Sequence, residues 1–193
     1  MHRQPARVLL PGNVRLLLAH VGDQTYSNRN QVMILLSFKA GLRACEISGL
    51  EWPMVLTSAG RVGNQLTIAR GIAKGGRGRL VPVHSELRAG LKNLHHAQGR
   101  PQSGAVIRSE RGDRLTAGSV VNWFGQTYRE LNLIGCSSHS GRRTFITMSA
   151  RALAKTGGSL KDIQELAGHR ALTTTERYIE GDRAAQRRLI NLL

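Results

Sequence analysis

The chain has 193 residues, enough for one complete domain and too few for a modular multidomain enzyme. Its 28 Lys and Arg stand against 12 Asp and Glu, and the resulting charge of +16 repels itself unless a polyanion neutralises it, which makes a nucleic acid the first partner to consider. No apolar run nears the ~20 residues that cross a bilayer, the start Met1-His2-Arg3-Gln4-Pro5 lacks a secretory signal's apolar stretch, and Cys45 and Cys136 are too few for a disulfide framework; a cytoplasmic, reduced protein with no membrane partner is expected.

Residues 1–12 show no clear period and read as a loosely held N-terminal segment, followed by a short apolar stretch at Val14–Ala19. From Asn28 an almost wholly apolar run ends at Gly41, the pattern of a buried helix with an Asn start and a Gly stop. Arg43 to Leu50 reads as one or two further helical turns, broken at Glu51-Trp52-Pro53. Between Val55 and Val83 three short β-rich runs separated by glycine-containing turns predict a three-stranded antiparallel sheet, with Lys74–Gly78 as its second hairpin. Helical patterns return at Leu87–Ala97, at Thr116–Leu131 and from His139 to about Lys155. Ser159 to Asp162 and Thr173 to Glu176 both have the spacing of a capping box, placing two short helices around the loop Gly168–Leu172. The fold class is therefore mainly α with a small antiparallel sheet, in one domain over residues 13–193 that includes a C-terminal helix.

Charge is uneven along this order. No acid occurs between Glu51 and Glu86, a stretch carrying Arg70, Lys74, Arg77 and Arg79, nor between Glu130 and Asp162, which carries Arg142 and Arg143. These stretches predict two basic surfaces; Arg70, Arg77, Arg79 and Arg143 are taken as DNA-binding residues.

Four short stretches concentrate residues that handle phosphate: Gly41-Leu-Arg43-Ala-Cys-Glu46, Lys74 on its glycine hairpin, His139-Ser-Gly-Arg142, and Gly168-His169 followed nine residues later by Tyr178. Their order and spacing resemble the catalytic domain of the tyrosine recombinase, or phage integrase, family, and Leu166-Ala-Gly-His169 through Tyr178 is the most specific part of the match. The resemblance implies that family's catalytic-domain fold and a DNA strand transferase in which Tyr178 is the nucleophile, forming a 3′-phosphotyrosyl link. It implies further that Arg43 and Arg142 neutralise the phosphate, Lys74 is the general acid for the leaving 5′ oxygen, its pKa lowered by partial desolvation or by neighbouring cations, His139 accepts the tyrosine's proton, and His169 donates a hydrogen bond to the phosphate. Glu46, three residues after Arg43, would orient that arginine as an ion pair. No metal, ATP or other cofactor is needed, because the arginines supply the charge.

Two departures from the family pattern carry expectations of their own. Ser140 and Gly141 stand where the family commonly has an acidic residue and a leucine, and since Gly costs about 1 kcal/mol in a helix relative to Ala, a locally altered backbone is expected there. Most relatives also carry a separate helical DNA-clamping domain before the catalytic one, and the length here resembles the short recombinases of bacterial invertible switches, so binding by a monomer should be salt-sensitive. The family's mode of action implies double-stranded DNA on the nucleoid, a homotetramer on two synapsed sites, exchange of a C-terminal helix whose apolar face is Ala184, Ala185, Leu189, Ile190, Leu192 and Leu193, and room for an accessory DNA-bending protein. The alternatives are relaxation of DNA in the manner of a type IB topoisomerase, and a non-enzymatic helix-turn-helix protein built on residues 159–178.

Overall fold

The computed structural model describes residues 6–178 together with 187, 190 and 191. The centre is α2 (Ser27–Lys39), in which every residue from Val32 to Phe38 is buried. So continuous an apolar run can be covered only by neighbours on all sides. Those neighbours are α1 (Pro11–Gly22), α3 (Ala44–Gly49), α4 (Ser85–Ala97) and α6 (Ser140–Thr156), while α5 (Ala117–Glu130) packs on α3. The main core gathers Met33, Leu36, Ile47, Leu50, Trp52 and Phe124; a second, smaller cluster joins Ile146 of α6 to Ile163 and Ala167 of α7 (Leu160–Ala167), with Tyr178 packed against it. Among the described residues, no helix is long and apolar enough to cross a membrane.

The sheet has two strands, not three. β1 (Gln65–Ile68) and β2 (Arg79–Pro82) pair antiparallel, with buried Leu66 opposite buried Val81. The expected first strand fails because Trp52–Met54 forms a 3-10 turn on Pro53 and the chain then bonds to itself. The Thr57 N–H reaches the Arg61 carbonyl at 2.8 Å and the Gly63 N–H the Val55 carbonyl at 2.9 Å, leaving a single bridge between Leu56 and Val62. With those groups satisfied locally, no free edge faces β1.

Three local expectations are also corrected. The N-terminal segment is tied from Arg7 on: the Arg7 N–H donates to the Gly135 carbonyl at 3.0 Å, and Leu9, 1% exposed, donates its N–H to Thr144 Oγ1 at 2.9 Å. Gly141 does not alter the backbone, for it lies within α6; a Cβ there would overlap Ser37 Oγ and stand 2.8 Å from Ser37 Cβ and 3.0 Å from Phe38 Cδ2. The glycine is what lets α6 lie against α2. Finally, Asp162 closes the expected box on α7 by accepting from the Ser159 N–H at 2.7 Å, but among the described residues Ala171, not Thr173, is the N-cap of the next helix. The chain leaves Gly168 with Ala171 extended, so α8 (Leu172–Glu176) starts before Thr173. Of the expected C-terminal apolar face, Ala184, Ala185, Leu189, Leu192 and Leu193 lie outside the described residues, and Ile190 is exposed.

Candidate active site

Glu46 is the first point of the site. It sits in the first turn of α3, fully buried, and its carboxylate accepts from the Arg43 N–H at 2.9 Å and Arg43 Nη1 at 3.1 Å. Arg79 approaches the same carboxylate with both ends of its guanidinium, Nη1 to Oε1 at 2.8 Å and Nη2 to Oε2 at 2.9 Å, and gives its Nε–H to the Leu166 carbonyl at 2.9 Å. Burial alone would raise the carboxyl's pKa, but hydrogen bonds and charge from Arg79, then Arg43, outweigh it and hold Glu46 below the usual carboxylate range. Arg79 is therefore not the DNA-facing residue expected from the sequence: its side chain is 7% exposed and its fork is spent on Glu46 and α7.

Arg142, near the start of α6, is also buried. Nη1 donates to the Gly41 carbonyl and Nη2 to the Ala167 carbonyl, both at 2.6 Å. These carbonyls lie just past the end of α2 and at the end of α7, where unsatisfied C=O groups carry partial negative charge, so the cation is held without consuming a carboxylate. Burial and then the nearby Arg43 lower its pKa to about 10, with Glu46 and Tyr178 acting in the opposite direction. The guanidinium remains charged at neutral pH.

His169 follows directly. α7 ends on Gly168 with φ +63, a left-handed cap that glycine adopts without strain, and a Cβ there would meet Arg79 Nη1 at 3.0 Å. The turn drops His169 into a buried position where its Nδ1 is 2.9 Å from Thr175 Oγ1 and its ring stacks on that of Tyr178, with centroids 5.6 Å apart. Burial first, then the positive charges of Arg142, Arg43 and Arg79, lower the imidazole's pKa to about 4, so it is neutral at pH 7. Tyr178 is half-buried; Arg143 lies over its ring with Cζ 5.7 Å from the centroid, and Thr147 Oγ1 donates to the Tyr178 carbonyl at 3.4 Å.

The structure thus brings Arg43, Glu46, Arg142, His169 and Tyr178 together. Lys74 stands apart from them, exposed on the hairpin between β1 and β2, and makes no hydrogen bond or ion pair among the described residues. Arg70 and Arg77 are exposed on the same hairpin. His139 is exposed at the N-cap of α6, three residues before Arg142. The helix-turn-helix alternative finds α8 only five residues long with Thr175 buried.

The model of the Phage integrase family matches residues 7–184, most of the chain. The chain belongs to that family. Among its relatives, tyrosine recombinase XerC of Azotobacter vinelandii is 32% identical over 171 residues, 87% of this chain and 53% of that protein. XerC of Pelobacter propionicus is 29% identical over 158 residues, 81% of this chain and 49% of the relative. This member of the phage integrase family thus spans about half the length of the curated relatives it matches. Its fold is shared with the Tn1549 transposon integrase in complex with transposon right end DNA, at a TM-score of 0.77 and 18% identity, over 100% of this chain and 67% of that one. It is shared as well with XerA recombinase, at a TM-score of 0.73 and 18% identity, over 97% and 66% of the two chains.

Two residues of this phage integrase member's site were not singled out from its sequence in the roles they hold. Arg79 joins β2 to α3 and α7, and Thr175 joins α8 to His169. The signal for Arg79 was its place two residues before buried Val81, on the inward face of a strand with period two. Thr175 is one of three consecutive threonines, and only its spacing of three from Tyr178 marks it. No group of three or more His, Cys, Asp or Glu side chains that could hold a metal occurs among the described residues.

Proposed function

We propose that this chain is a site-specific DNA recombinase, an enzyme that cleaves and rejoins strands through a 3′-phosphotyrosyl intermediate, with residues 13–193 as its catalytic domain. The observation that carries the reading is the stack of Tyr178 on a neutral His169 that faces the charges of Arg142, Arg43 and Arg79. An anion drawn to those charges meets a nucleophile alongside.

In the proposed reaction the scissile phosphate sits against Arg43 and Arg142, which take up the charge that grows on its non-bridging oxygens. The Tyr178 oxygen forms a bond to phosphorus as the bond to the 5′ oxygen breaks, and the phenolic proton passes to His139. Lys74 gives a proton to the departing 5′ oxygen, which requires its exposed hairpin to fold over the bound DNA. His169 donates to a non-bridging oxygen. Attack by the 5′-hydroxyl of a partner strand, its proton passing to Lys74, then expels Tyr178, which takes its proton back from His139, and restores the phosphodiester, so bond energy is conserved and neither metal nor ATP enters. Arg70 and Arg77, exposed beside Lys74, neutralise flanking phosphates, with Arg143 contributing from α6. The assembly proposed is a tetramer on two synapsed sites in the cytoplasm, on the nucleoid, with C-terminal helices exchanged and an accessory DNA-bending protein accommodated.

The test is a covalent-trapping gel assay in EDTA, using a nicked duplex taken from the repeats flanking the gene. Wild type should give a denaturant-resistant protein–DNA adduct and Tyr178→Phe none. No adduct from the wild type, with DNA binding retained, would overturn the reading; relaxation of supercoiled plasmids lacking those repeats would replace recombination with topoisomerase activity.

A further inference from the structure

The contact between His169 and Thr175 has a consequence for where the imidazole keeps its proton. A neutral imidazole has one N–H, on Nδ1 or on Nε2, and the hydrogen bond made by one nitrogen decides the state of the other. Nδ1 faces Thr175 Oγ1 at 2.9 Å, with both side chains buried. This is the one hydrogen bond of the Thr175 hydroxyl among the described residues. Were the hydroxyl only to accept, its own O–H would be buried without an acceptor, an arrangement that folded proteins avoid. If it donates to Nδ1, every group is satisfied, and the imidazole proton is forced onto Nε2.

The same residue holds the nucleophile. The Tyr178 N–H donates to the Thr175 carbonyl at 3.0 Å, so Thr175 grips His169 by its side chain and Tyr178 by its main chain, and the two rings are stacked by that double hold. The charged groups that act on the pair are arginines, Arg142, Arg43 at the start of α3 and Arg79 from β2 on His169 and Arg143 from α6 over the Tyr178 ring, while Tyr178 also packs on the apolar cluster of Ile146, Ile163 and Ala167. A proton on Nε2 is the arrangement that an incoming phosphate oxygen can accept, whereas a lone pair there would repel it.

We infer that Thr175 is a positioning residue whose hydroxyl donates to His169 Nδ1, holding the imidazole as the Nε2–H donor toward a bound phosphate beside Tyr178. The inference deepens the strand-transfer reading and rests on it for the phosphate, while the tautomer is a property of the protein alone.

The experiment pairs two measurements on the full chain. Long-range proton–nitrogen spectra of 15N-histidine-labelled protein at pH 7, with His169 assigned by its loss in His169→Gln, report the tautomer without DNA. Single-turnover adduct formation on the nicked duplex reports the chemistry. Wild type and Thr175→Ser should show His169 as the Nε2–H form and cleave within about threefold of each other, while Thr175→Val, which keeps the main-chain bond to Tyr178, should show mixed tautomers and cleave about 10–100-fold more slowly. An Nδ1–H tautomer in the wild type overturns the assignment, as does a Thr175→Val protein with wild-type tautomer and rate. A wild type that forms no adduct defeats the strand-transfer reading instead, and the tautomer spectrum then decides Thr175 by itself.

Discussion

Replacing Arg79 with methionine should destabilise the protein far more than the loss of one surface charge. The substitution keeps the aliphatic stem of a side chain that is 7% exposed, but removes both bonds to Glu46, at 2.8 and 2.9 Å, and the bond to the Leu166 carbonyl. Glu46 is then left fully buried with Arg43 as the remaining cation that bonds to it among the described residues. Breaking a buried pair by removing one partner costs about 3–5 kcal/mol, against ~0–1 kcal/mol for an exposed pair. For a chain of this length, that corresponds to a fall in Tm of about 6–20 °C. Urea unfolding followed by tryptophan fluorescence is the assay, with buried Trp52 as a reporter of the main core. Adding Glu46→Gln to the Arg79→Met protein removes the stranded charge and should recover part of the loss. The pH dependence has a definite sign. The folded-state pKa of Glu46 is depressed, so its contribution to wild-type stability is present above the unfolded carboxyl range and is lost as pH falls through the folded-state value. The deficit of Arg79→Met should accordingly shrink in acid. A loss below ~1 kcal/mol at pH 7, the size for an exposed pair, would refute the reasoning.

Gly141→Ala should destabilise the fold by about 1–3 kcal/mol in the same unfolding assay, because the added Cβ overlaps Ser37, whereas helix propensity alone would give a gain of ~1 kcal/mol. His169 is held neutral in the folded state with its pKa lowered to about 4 from 6.5, so stability should fall, with uptake of one proton, as pH drops from 6.5 toward 4; comparison with His169→Gln isolates that component, and identical pH profiles would contradict it. Lys74→Ala should slow adduct formation while leaving Tm unchanged, since Lys74 is exposed on its hairpin and makes no hydrogen bond or ion pair among the described residues; a large Tm change would contradict that placement. Raising salt should weaken DNA binding steeply, with a smaller slope in an Arg70→Ala, Arg77→Ala double variant by titration on the duplex; an unchanged slope would remove these two arginines from the contact.

What could be read from the residues follows from the range of the interactions that fix them. α2 was legible because an apolar run flanked by Asn28 and Gly41 specifies a buried helix locally, and α7 because Ser159 and Asp162 close their own turn. The segment at Val55 was misread as a strand since β propensity does not say whether a partner edge is available, and there the chain satisfies itself. The site's order along the sequence named Arg43, Arg142, His169 and Tyr178, which the fold gathers. It did not distinguish Arg79 from Arg70 and Arg77: all three are arginines of one basic stretch, and their separation into a buried strut and two exposed cations depends on strand register and on α3 and α7, brought close from 33 and 87 residues away. Gly141 was legible as a departure but not as packing, because its reason lies in Ser37 on another helix.

The two apolar clusters meet across a polar seam. α7 is joined to the body by the Arg142 link from the Gly41 carbonyl to the Ala167 carbonyl and by Arg79 on the Leu166 carbonyl, with the Leu166 side chain also reaching the main core. Beyond that seam lie His169 and Tyr178. Arg142, proposed to hold the phosphate, is thus also a rivet of the lobe that bears Tyr178, and an anion bound there would tighten the joint from which that ring hangs. Substrate recognition and local folding of the lobe become one equilibrium: amides of α7 should exchange with solvent more slowly once a phosphate occupies the seam. By the same coupling, a substitution at Arg142 should weaken the joint and the proposed chemistry together, and only measurements on both can separate them.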